Sequence, residues 1–61
     1  MTREEAIKEA TEAAKRDQIE MVVAFNPFDD EAETDEEKYG FYPATAVKIF
    51  RFEKVVETIK P

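Results

Sequence analysis

The sequence predicts an α+β fold in which an N-terminal helix packs on a small, mostly antiparallel sheet of two or three strands, with a short helix near residues 43–50. Three observations point there. Alanine and isoleucine recur at three- and four-residue spacing through the first seventeen residues, residues 19–26 form an apolar run rich in β-branched side chains, and all seven aromatic residues follow the first helix.

The helix is expected over about residues 2–17. Thr2 and Glu5 have the spacing of a capping box, in which the hydroxyl accepts from a backbone N–H of the first turn and the carboxylate accepts from the N-cap N–H. Ala6, Ile7, Ala10, Ala13 and Ala14 share one face, with Glu4–Lys8 and Glu12–Arg16 as favourable pairs elsewhere on the helix. Glu4 and Glu5 stand at the positive end of the helix dipole, and Lys15 and Arg16 at the negative end. A face made almost wholly of alanine buries little area but lets the helix sit close to a sheet.

IEMVVAFN, residues 19–26, has a continuous apolar centre, which suits a strand covered at least partly on both faces. Pro27 lacks the N–H a ladder needs and ends it. An acidic loop at about residues 27–38 follows, and like charges in a block resist compaction, so a mobile excursion is expected there. YGFYP, around the only glycine, has strand preference and completes a long-looped hairpin with the first strand. From Pro43 on, three readings compete: a short helix ATAVKIF before a last strand EKVVETI; a strand VKIFRF kinking into another; or one continuous helix with Ile49, Phe52, Val55, Val56 and Ile59 on a common face. The first is preferred, because no turn residues mark a hairpin and the terminal β-branched run disfavours a helix.

At 61 residues the chain has room for a single domain, 1–61. A chain this short hides only about 60% of its unfolded surface, leaving a lone monomer with roughly 3 to 5 kcal/mol of stability. Self-association, as a homodimer, is therefore expected. No stretch is apolar enough for a membrane span, and the charged first residues do not resemble a signal peptide, so a soluble cytoplasmic protein is expected.

The chain has no Cys, no His and no Ser, so thiolate or imidazole metal sites and serine or cysteine nucleophiles with a histidine base cannot be built. One glycine excludes phosphate-cradling loops. Paired carboxylates would need a cleft that raises one pKa, for which a chain this small has little room. No enzyme activity, cofactor or metal is expected.

Formal charge is −6, and seven acidic residues with no basic ones lie between Asp29 and Glu37. Outside that tract nine basic residues face eight acidic ones. No basic stripe exists for direct nucleic-acid binding. Asp29, Glu31, Glu33, Asp35 and Glu37 alternate like oxygen donors of a calcium loop, but Thr34 stands where that loop needs glycine and Gly40 where it needs a bidentate glutamate.

The contact residues expected are Phe28, Asp29, Asp30, Glu31, Glu33, Asp35, Glu36, Glu37, Tyr39 and Tyr42: aromatic anchors bracketing a charged rim. The function expected is a small non-enzymatic protein-interaction module that self-associates. The alternative is an acidic inhibitor, of the kind phages use, that mimics nucleic acid on a partner's basic surface.

Overall fold

The computed structural model describes residues 1–47 and 54–61. Its elements are α1 (Arg3–Asp17), β1 (Met21–Phe25), β2 (Tyr39–Pro43), α2 (Ala44–Val47) and β3 (Lys54–Ile59), with a 3-10 turn at Asp35–Glu37. The α+β class and the helix-on-sheet arrangement are as the sequence predicts.

The capping box forms: Glu5 N–H donates to Thr2 Oγ1 (3.2 Å) and Thr2 N–H to Glu5 Oε1 (3.0 Å). At the other end Gln18 adopts the left-handed conformation with φ 55°, and its Nε2 donates to the Lys15 carbonyl (2.7 Å), closing the last turn. Between these ends Ala6, Ala10, Ala13 and Ala14 are all buried, so the helix approaches the sheet without large side chains between them.

The sheet has the order β2-β1-β3, with both edge strands antiparallel to β1. Pro43 pairs with Met21 and Lys54 with Phe25, so the two edges run parallel to each other with β1 between them. The period-two alternation of β1 sends Met21 and Val23 toward α1, where the half-buried Ile7, Tyr39, Phe41, Val56 and Ile59 pack around them. Val23 is fully buried, worth about 1.5–3 kcal/mol relative to exposure. Val22 and Ala24, on the opposite face, are buried too, as expected for a strand covered on both sides.

Gly40 stands opposite Ala24 on that second face, and a Cβ there would lie 2.5 Å from the hydroxyl oxygen of Tyr42. The missing side chain is what lets the Tyr42 ring fold back along its own strand. On the helix face Phe25 and Tyr39 meet edge-on, centroids 5.5 Å apart.

Pairing between β1 and β3 slips once: Val23 opposes Glu57 and Ala24 opposes Val55, leaving Val56 as the extra residue of a bulge. That bulge places Val56 and Ile59, three residues apart, on the same core-facing side. A continuous C-terminal helix is thereby excluded, and the last strand is the one the preferred reading placed there. Of the expected short helix, α2 supplies residues 44–47. Residues 48–50 of that helix, and most of the alternative strand VKIFRF, lie outside the described residues. Arg3 of α1 reaches Glu57 of β3 (3.4 Å), a half-exposed pair worth about 0.2–1 kcal/mol. Among the described residues no helix is long and apolar enough to cross a membrane.

Candidate functional site: an acidic loop pinned at both ends

The tract of seven carboxylates occupies the connection between β1 and β2, and it carries more local structure than its charge suggests. Asn26 N–H donates to the Lys38 carbonyl (2.7 Å), extending the hairpin ladder one pair beyond Phe25 and Tyr39. The Asn26 side chain then accepts from Phe28 N–H (3.0 Å), and the Asp29 side chain from Glu31 N–H (3.1 Å). These are Asx turns, the local bonding for which Asn and Asp are favoured after a strand. The 3-10 turn follows, with Glu37 N–H donating to Thr34 O (3.1 Å) and Lys38 N–H to Asp35 O (3.2 Å). Lys38 Nζ also pairs with Asp35 Oδ1 at 3.2 Å.

The second anchor comes from the far end of the chain. Met1 N donates to Glu37 O (2.7 Å) and, at longer range, to Tyr39 O (3.5 Å), while Tyr39 N–H donates to Met1 O (3.1 Å). This bridge lays Met1 along the outer side of β2 where the loop ends. It also brings the first turn of α1 to the loop: an open cleft of about 300 Å³ is lined by Met1, Glu5, Asp29, Glu31, Ala32 and Glu37.

Three of the seven tract carboxylates therefore share one cleft with Glu5. Asp30, Glu33, Asp35 and Glu36 are exposed and do not line it. Phe28 is 68% exposed, the most of any large apolar side chain described. Tyr39 and Tyr42 lie within β2, both half-buried, Tyr39 on the helix face and Tyr42 on the other. The sequence-predicted contact residues thus divide between an exposed loop and two strand positions.

Glu5 is held below the usual carboxylate range, chiefly by the Thr2 backbone N–H and then by the Thr2 hydroxyl. Its charge is thus fixed by the helix cap. Apart from Asp29, the lining carboxylates are exposed, and two unit charges 4 Å apart in water interact by only about 1 kcal/mol. The cleft can attract cations collectively, while water competes for each contact. Among the described residues no group of three or more carboxylates could hold a metal ion.

Sequence reasoning found the loop but not Glu5 or Met1 as its neighbours. The contact joins residues 36 and 38 positions apart, and no local pattern carries such a signal. No family model, no curated protein and no solved structure matches this chain.

Proposed function

We propose that this chain is a small protein-interaction module that works without turnover, offers residues 28–42 to a protein partner and self-associates. The observation that carries the reading is the convergence of Glu5, Asp29, Glu31 and Glu37 on one open cleft, in a loop that also bears the exposed Phe28. A charged rim beside an apolar anchor suits a partner with a basic face, which the field of the loop would steer into place.

A second reading is favoured by a specific feature. Mimicry of nucleic acid needs carboxylates held in register, and the loop is pinned by the Asn26–Lys38 bond, two Asx turns, the 3-10 turn and the Met1 bridge. An acidic inhibitor that occupies a basic surface is supported to that extent.

One experiment separates the two. Binding to a Lys/Arg-rich peptide is measured by calorimetry for the wild type, for Asp35→Asn/Glu36→Gln/Glu37→Gln, and for Phe28→Ala, each at low and high salt. The mimic predicts at least a tenfold loss for the triple variant and steep salt dependence. The anchored module predicts that Phe28→Ala is the more damaging change. Wild-type binding too weak to detect at low salt would remove both.

A further inference from the structure

The two edges of the sheet differ in how many backbone groups they leave open, and the ladder geometry says which. In an antiparallel pair the N–H and C=O of a residue point together to one side, and the side alternates along the strand. Two bonds fix the phase on β1: Ala44 N–H donates to Glu20 O (3.0 Å) and Asn26 N–H to Lys38 O (2.7 Å). Even-numbered residues of β1 therefore bond β2, and Met21, Val23 and Phe25 bond β3.

Outward groups on the edges follow from the registers. On β2 they belong to Tyr39, Phe41 and Pro43. Met1 takes both groups of Tyr39, and Pro43 has no N–H, so Phe41 alone keeps an outward donor. On β3, Lys54, Glu57 and Ile59 oppose the residues that bond this strand, and Val56 is the bulge. Val55 and Thr58 point outward. Both are exposed, Val55 by 42%, and among the described residues nothing bonds their outward groups.

We propose that β3 pairs antiparallel with β3 of a second copy, about a two-fold axis between Val56 and Glu57, forming one continuous six-stranded sheet. The inference rests on the reading that the chain self-associates, and it names the surface. Two features select a second copy as occupant. First, Lys54, Val56, Glu57 and Ile59 are on the helix face and Val55 and Thr58 on the other, a pattern that reads the same from both ends because of the bulge. Each residue then meets one on its own face: Lys54 opposes Ile59, and Val55 and Thr58 exchange backbone hydrogen bonds on either side of the axis. Second, β3 carries one Lys and one Glu in a chain of net charge −6, and Glu57 is already paired with Arg3. Two copies approach there without the repulsion that the acidic loops would impose. A single strand buries less than the roughly 800 Å² per partner of a standard interface, so the association is expected to be weak and is sought at high protein concentration.

The test uses the full chain, by sedimentation velocity from roughly 10 μM to 1 mM together with amide hydrogen exchange. Thr58→Pro removes an outward N–H and no bond of the β1 ladder. The wild type is expected to approach twice its monomer mass, with exchange at Val55 and Thr58 slowing at least fivefold over that range and Phe41 unchanged. Thr58→Pro is expected to associate at least tenfold more weakly. Should that variant fail to fold, the wild-type exchange pattern decides alone. Association that persists in a folded Thr58→Pro, or that leaves the Val55 and Thr58 amides unprotected, overturns the edge assignment while self-association stands. A wild type still monomeric near 1 mM overturns both.

Discussion

The acidic loop and β3 are the two proposed contact regions, and they would work by opposite physics. The loop presents side-chain charge of one sign on a backbone shaped by two Asx turns, the 3-10 turn and the Met1 bridge. β3 presents backbone groups on a strand whose side-chain charges cancel. A partner of the loop would be chosen by charge and released by salt. A partner of the strand would be chosen by shape and register and would respond little to salt. The contrast teaches that one small fold can keep side-chain charge of one sign and an open strand edge in different parts of the molecule.

Three substitutions would break or sharpen that contrast, beginning with the largest effect. Ala10→Leu inserts bulk where α1 lies against the sheet with no exposed surface, and it is expected to cost about 1–3 kcal/mol in denaturant unfolding. Since loop and strand are mounted on the same helix–sheet core, both kinds of association should weaken together as the folded population falls. If peptide binding survived while the core melted, the loop would be acting as an unstructured charge tract.

Thr2→Ala removes the cap hydroxyl and is expected to cost about 1 kcal/mol. Its effect should be local: it loosens the turn that brings Glu5 and Met1 to the loop, so peptide binding should weaken while dimer formation is unchanged. The sign with pH follows from Glu5, whose folded pKa lies below its ordinary value. The stabilisation is present above the unfolded pKa and lost as pH falls through the folded one, so the wild-type advantage over Thr2→Ala should shrink on acidification below the usual carboxylate range. Thermal unfolding at a series of pH values checks this, and a gap that widened toward acid would contradict it.

The smallest effect lies at the far end of α1. Gln18 holds φ 55°, a conformation glycine adopts without a Cβ penalty. Gln18→Gly should raise stability by about 0.5–1 kcal/mol, reduced by loss of the Gln18–Lys15 bond, with neither association altered. A change in either one would mean that the two ends of the helix are coupled.

Much of the fold was legible because its signals are local. The capping box and alanine spacing fixed α1 to within a residue, and Asn26–Pro27 marked where β1 stops. The last strand was harder for a definite reason. Val56 and Ile59 sit at helical spacing, and a strand can send both to the core only by taking up a bulge, which the sequence does not announce. Nor does any pattern say that β3 joins β1 on the side away from β2. The loop itself was plain from composition, but the Asx turns, the 3-10 turn and the Met1 bridge inside the expected mobile excursion were not. Among the described residues, Met1 and Glu5 come to it from elsewhere in the chain through contacts that only the folded chain creates.

The void at position 40 has one more implication. Since the tyrosine two places along leans into it, the two positions are coupled: any side chain added at the first must displace the hydroxyl end of the ring at the second.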